Sequence, residues 1–166
     1  MHTPPDPSQF HPSDDSVRAV ACQAIEQYRD QPGNLLPILH AVQHALGCIP
    51  AGAVPVLAEG LQLSRAEIHG VISFYPHLRS TPTGTVLLEV CRAEACQAMG
   101  GEKLADHAQQ RLGCSFHATT ADGAITLEPV YCLGLCAQSP AVMINGQPHA
   151  RMTAGKLDRL LQAEGV

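Results

Sequence analysis

Tryptophan is absent and aromatic residues make up only 4% of the sequence, so there is little from which to build platforms that stack bases or sugars. Positive charge is scarce as well: 10 Lys and Arg against 15 Asp and Glu leave a formal charge of −5, and no basic run occurs anywhere. A nucleic-acid partner is disfavoured on that ground, because holding phosphates requires a basic footprint. No stretch approaches the roughly 20 consecutive apolar residues of a membrane span. Glycine-rich phosphate cradles are missing too. With neither a Walker loop nor a Gly-x-Gly-x-x-Gly run, the chain is not expected to bind NAD itself. Residues 1–15, rich in Pro, Ser, His and Asp, lack the basic start and apolar middle of a signal peptide. They read as a flexible tail on a cytoplasmic protein.

Apolar residues make up 45% of the 166-residue chain, enough for a proper core and for one domain with an appendage or two small units. Seven cysteines are an odd number. In a chain without signs of export, that argues against a disulfide framework and for thiolate chemistry in a reducing compartment.

The pattern changes near residue 80. Over 16–30, Val17, Val20, Ala21, Ala24, Ile25 and Tyr28 recur at helical spacing. Pro32-Gly33 stops that helix, and Asn34 is placed to cap a second over 35–46, with Gly47 as its left-handed stop. A third helix fits 51–59. Ser64 and Glu67 have the form of a capping box for a fourth, which should end before Pro76. The helical module spans 16–79. After a linker at 79–84, the second domain (84–166) opens with a β-branched, apolar strand over 85–90. A cysteine loop follows, then a helix over 101–112. Strands over 115–119 and 124–128 flank an Asp122-Gly123 turn, and a second cysteine loop comes next. A hairpin turns at Asn145-Gly146, and Thr153 caps a last helix over 154–163. Strand, helix, strand, hairpin and helix is the order of a thioredoxin-like α/β layer fold, whose first β-α-β unit crosses over right-handed.

Cys91-x4-Cys96 and Cys132-x3-Cys136 fall in the two loops, each leaving a strand. Such gaps let two sulfurs in each loop face one centre. Four thiolates hold either a [2Fe–2S] cluster, two per iron, or one tetrahedral zinc. Small residues (Ala93, Ala95, Ala98, Gly100, Gly101, Gly134, Ala137) permit backbone N–H groups to approach an anionic centre, with the start of the 101–112 helix adding its positive end. Met99, Leu133 and Leu135 would limit water. These surroundings favour the cluster. A four-cysteine interaction module stabilised by zinc, without redox activity, is the main rival, two disulfides a lesser one, and a dithiol redox pair is weaker for want of Cys-x-x-Cys. Cys22, Cys48 and Cys114 have no partner at ligand spacing, and Cys22 reads as core packing. His40 and His44 lie one helical turn apart without a third ligand in reach, as surface histidines would.

The segment Gly70-Val71-Ile72-Ser73-Phe74-Tyr75, with Val90-Cys91-x4-Cys96 and Tyr131-Cys132-Leu133-Gly134-Leu135-Cys136, resembles the thioredoxin-like [2Fe–2S] subunit of NADH dehydrogenases. The peripheral subunit of respiratory complex I and the matching subunit of NAD-reducing hydrogenases belong to that family. Within it, residues 91–100 (Cys-Arg-Ala-Glu-Ala-Cys-Gln-Ala-Met-Gly) are similar to the gamma subunit of soluble NAD-dependent formate dehydrogenases. Respiratory members more usually have Gly and Thr between the first two cysteines. The resemblance implies a thioredoxin-like [2Fe–2S] ferredoxin domain preceded by a small four-helix module, with the cluster on Cys91, Cys96, Cys132 and Cys136. It implies one-electron transfer with no catalytic site in this chain. Its partners would be a flavin- and NAD-binding iron–sulfur subunit carrying FMN, and a molybdenum-containing catalytic subunit. Phe74, Tyr75, Pro76 and Leu78 are then expected either to dock on the flavin subunit or to pack the two modules together. Ser139-Pro140, just before the hairpin, is where such folds often carry a cis proline, and a cis bond is expected there.

Overall fold

The computed structural model describes residues 14–165, so most of the tail expected over 1–15 lies outside the described residues. The chain divides into two compact units, with the break between Pro82 and Thr83.

In the first unit, the helices are α1 (Asp14–Tyr28), α2 (Leu35–Leu46), α3 (Ala53–Leu61) and α4 (Arg65–Phe74). Each presents one apolar stripe: Val17, Ala21, Ala24 and Ile25 on α1, Ile38, Leu39, Val42 and Leu46 on α2, Val54 and Leu57 on α3, Ile68 and Ile72 on α4. Burial of these stripes against one another is the main stabilising term, since helices this short are marginal alone. Helix ends follow local chemistry. The Ser64 hydroxyl accepts from the Glu67 N–H while the Glu67 carboxylate accepts from the Ser64 N–H, a complete capping box. Gly47 ends α2 in the left-handed conformation, at φ 74°. Asn34 differs from expectation. It is already in the helical conformation and makes no cap bond; its side-chain amide donates instead to the Arg29 carbonyl. Gln43 ties the chain after α4 back to α2, donating to the His77 carbonyl at 2.8 Å and accepting from the Arg79 N–H at 2.6 Å.

The second unit is a five-stranded sheet of order β2-β3-β1-β4-β5, formed by β1 (Val86–Cys91), β2 (Ala118–Thr119), β3 (Ile125–Val130), β4 (Val142–Ile144) and β5 (Gln147–His149). β1 and β3 are parallel; the other pairs are antiparallel. Helices α5 (Glu94–Ala98) and α6 (Gly101–Leu112) follow β1, and α7 (Ala154–Ala163) closes the chain. Val86, Leu88, Val90, Ile125, Leu127, Val142 and Ile144 form a core with Leu104, Ala105 and Ala108 of α6 and Leu157 and Leu161 of α7. The architecture is the expected thioredoxin-like α/β layer.

Two local differences have physical causes. The strand expected over 115–119 shrinks to two residues because His117 adopts φ 66°, which extended backbone cannot include. Its ring Nδ1 lies 2.7 Å from Glu128. Helix α5, inside what reads as a plain loop, is too short to leave a periodicity.

Candidate metal centre

β1 and β3 run parallel in register, with Cys91 opposite Val130 at their carboxyl ends. Both cysteine segments therefore leave the same end of the sheet, from adjacent interior strands. Cys91 is the last residue of β1; its N–H donates to the Ala141 carbonyl at 3.1 Å, and the Arg92 N–H donates to the Val130 carbonyl at 2.8 Å. Cys96 sits on α5. The start of α6 presses against it so closely that a Cβ on Gly101 would lie 2.6 Å from the Cys96 carbonyl oxygen. Only glycine permits that approach.

Cys132 and Cys136 lie in the turn after β3, their sulfurs 3.6 Å apart. Cys132 adopts φ 115°, a region strained for any residue with a Cβ, and Gly134 follows at φ 76°. This backbone swings the Gly134 N–H onto the Cys132 sulfur, at 3.4 Å. The Ser139 hydroxyl donates to the Cys136 carbonyl at 2.8 Å. Ser139–Pro140 is cis, as expected, and leads into Ala141, whose N–H reaches the Cys96 sulfur.

The thiols differ sharply in environment. Cys91 and Cys96 are 3% and 2% exposed, in a small apolar cluster with Val130, Ala141, Ala93, Leu133 and Leu135. Burial, then the Cys91 thiol, push the Cys96 thiol up to about 11. Cys132 and Cys136 are exposed. The Gly134 N–H, followed by the Cys136 thiol, holds Cys132 below the ordinary cysteine value; its bond to Cys132 and the charge there raise Cys136. Across the two pairs, Cys96 senses Cys136, and Cys136 senses Cys91. All four thiols share one neighbourhood.

Among the described residues, no three His, Cys, Asp or Glu side chains converge on one ion. Two loops each bring two thiols, a donor set that suits two irons held by two thiolates each and equally one tetrahedral zinc. An all-sulfur donor set, backbone N–H groups aimed at two of the sulfurs and a partly apolar wall fit a [2Fe–2S] group.

Sequence patterns placed the four cysteines and, through Gly134, the approach of a backbone N–H to the second pair, which the structure shows at Cys132; they missed the Ala141 backbone, which lies outside both loops and leaves no signature. Met99 is 63% exposed, so the expected shielding falls to the half-buried Leu133 and Leu135. Cys22 is also corrected. It is exposed, because it follows Ala21 and turns away from the buried stripe of α1. Cys48 is buried and Cys114 half-buried against the core of the second unit. His40 and His44 are both exposed on α2. Phe74 and Tyr75 stack edge to face with ring centres 5.1 Å apart, and Phe74 is 76% exposed.

A family model described as thioredoxin-like [2Fe-2S] ferredoxin matches residues 21–164. Over 139 residues the chain is 34% identical to a subunit of the NADH-quinone oxidoreductase of Pseudomonas aeruginosa, covering 84% of each. It is 28% identical over 139 residues to NADP-reducing hydrogenase subunit HndA of Solidesulfovibrio fructosivorans, covering 84% of this chain and 81% of that one. Among solved structures, a chain of an NAD+-reducing [NiFe]-hydrogenase in the air-oxidized state superposes with a TM-score of 0.65 at 29% identity. That match takes in 77% of the present chain but only 22% of the hydrogenase chain.

Proposed function

The chain belongs to the thioredoxin-like [2Fe–2S] ferredoxin family, and we propose that it carries single electrons as a subunit without catalytic site in an NAD-linked oxidoreductase. Its cofactor is a [2Fe–2S] cluster. Cys91, Cys96, Cys132 and Cys136 are its ligands in this reading. The observation that carries the assignment is that the two cysteine pairs lie at and just beyond the carboxyl ends of two adjacent parallel strands. The bound group supplies a one-electron couple whose potential depends on hydrogen bonds to sulfur and on solvent exposure.

The chain's own residues set those terms. Leu133 and Leu135 keep water from the Cys91–Cys96 side, while the Gly134 and Ala141 N–H groups point at Cys132 and Cys96. No helix among the described residues is long and apolar enough to cross a membrane. A cytoplasmic complex is the setting we propose.

The partner in this reading is a flavin- and NAD-binding iron–sulfur subunit, with FMN and NAD bound there. A flavin gives up electrons one at a time, and a nearby one-electron centre accepts them. Similarity to subunits named for NADH-quinone oxidoreductase and NADP-reducing hydrogenase supports an NAD(P)-linked complex. The finer reading, a formate dehydrogenase with a molybdenum-containing catalytic subunit, rests on the wording of residues 91–100.

The test is anaerobic purification of the complex through a tag on this chain. Red-brown protein whose visible bands bleach on reduction, with iron and sulfide in equal amounts, supports the cluster. Zinc in its place, or a chain colourless after reconstitution with iron and sulfide, overturns it. Molybdenum and formate-dependent NAD reduction in the same preparation support the parent enzyme; quinone- or hydrogen-linked activity without molybdenum replaces it.

A further inference from the structure

The two halves of the centre are unequal, and the inequality has a consequence for where charge resides. Cys91 and Cys96 are buried at 3% and 2% exposure and packed among Val130, Ala141, Leu133 and Leu135. Cys132 and Cys136 stand on the exposed turn, their sulfurs 3.6 Å apart and the Gly134 N–H 3.4 Å from Cys132. The close approach of the Cys132 and Cys136 sulfurs suits one iron on that pair, which leaves the buried Cys91 and Cys96 for the other.

Resting on the electron-transfer reading above, the geometry points to the iron held by Cys132 and Cys136 as the one that accepts the electron and stays ferrous in the reduced protein. Reduction moves one electron from the partner's reduced flavin to a ferric ion, which becomes ferrous; no bond forms or breaks and no proton moves. A group bound by four thiolates is already anionic, and the added electron makes it more so. Low-dielectric surroundings disfavour that extra charge, while water and N–H dipoles stabilise it. The Gly134 N–H donates to Cys132 at 3.4 Å, on the exposed half. Exposure acts in the same direction, and both favour the Cys132–Cys136 half.

The arrangement also gives the electron a surface port. The backbone strain at Cys132, with φ 115°, turns the sulfur toward the Gly134 N–H at that end of the sheet. Tyr131, 70% exposed, precedes it directly.

The experiment uses the full-length, cluster-loaded chain, reduced, in carbon-detected paramagnetic NMR. Val–Cys, Tyr–Cys and Leu–Cys pairs each occur once in the sequence, so pairwise isotope labelling assigns Cys91, Cys132 and Cys136 without mutation. In a coupled ferric–ferrous pair, β-protons of ligands on the two ions shift in opposite directions with temperature. Cys132 and Cys136 are expected to show ferrous behaviour and Cys91 ferric behaviour. A ferrous signature at Cys91, or equal behaviour at all three positions, overturns the assignment while leaving the cluster and its electron-transfer role intact. As a second measurement, Cys132→Ser should lower the midpoint potential more than Cys91→Ser, because the harder oxygen ligand acts on the ion that changes valence. The reverse order overturns the assignment. A chain that takes up no iron and sulfide under reconstitution fails at the earlier step and overturns both readings.

Discussion

Cys91 and Val130 stand directly opposite one another at the carboxyl ends of parallel strands β1 and β3. The Arg92 N–H donates to the Val130 carbonyl one residue further on. This pairing brings the Cys91–Cys96 loop and the Cys132–Cys136 turn to one end of the sheet, though 36 positions separate Cys96 from Cys132 in the sequence. A slip of one residue would send the side chains of one strand to the opposite face.

Replacing any one of Cys91, Cys96, Cys132 or Cys136 with Ala should sharply lower bound iron and sulfide in reconstituted protein. Cys22→Ser, on the exposed side of α1, should leave both and the visible spectrum unchanged. Iron and sulfide assays on the five variants decide. Full cluster content after loss of one of the four would remove that cysteine from the ligand set.

Gly101→Ala should damage the centre although residue 101 contributes no ligand. Its Cβ would lie 2.6 Å from the backbone oxygen of Cys96, so α6 or the Cys96 loop must shift. Gly155→Ala in α7 is the control, since its Cβ meets nothing nearer than an Arg159 side-chain nitrogen at 3.9 Å. That change should be neutral or stabilising by up to about 1 kcal/mol. Cluster retention and thermal melting of both variants test the contrast.

The last helix is held at its start by one hydroxyl: the Thr153 side chain accepts from the Lys156 N–H at 3.3 Å. Thr153→Ala should cost about 1 kcal/mol. Leu157→Ala, which empties a fully buried position under the sheet, should cost about 2–5 kcal/mol. Denaturant titrations followed through the second unit should return the two losses in that order.

Glu67 supplies a pH-dependent contribution to the helical unit. The Ser64 N–H, then the Ser64 hydroxyl, hold its carboxyl below the ordinary value of 4.5. A carboxyl lowered on folding stabilises the native state fully above its unfolded pKa, and that stabilisation is lost as pH falls through the folded value. Glu67→Ala should therefore melt below the unsubstituted protein at neutral pH, with the gap narrowing in acid. A gap constant with pH would mean that the carboxylate charge contributes nothing.

Phe74, at 76% exposure and stacked on Tyr75, is a candidate anchor for the flavin-binding partner proposed above. Phe74→Ser should weaken association of the complex by at least tenfold without altering the visible spectrum of the isolated chain. Unchanged assembly would leave Phe74 an ordinary exposed residue.

Several features were legible because their causes are local. Apolar spacing and end residues define α2 at Leu35–Leu46, α6 at Gly101–Leu112 and α7 at Ala154–Ala163. Asn145 and Gly146, at φ 48° and 80°, make the expected hairpin turn. The spacing of the four cysteines marked them as a set. What the sequence alone left open depends on contacts between distant segments. Asn34 donates back to Arg29 in place of capping its own helix, because its backbone had already turned helical. His117 breaks its strand beside Glu128, and Cys22 turns outward although its neighbours Ala21, Ala24 and Ile25 are buried. The burial of Cys91 and Cys96 against the exposure of Cys132 and Cys136 belongs here too. Residue types and spacing determined which thiols could act together. Only the packed strands decided which of them face water, because burial depends on every neighbour that folding brings into place.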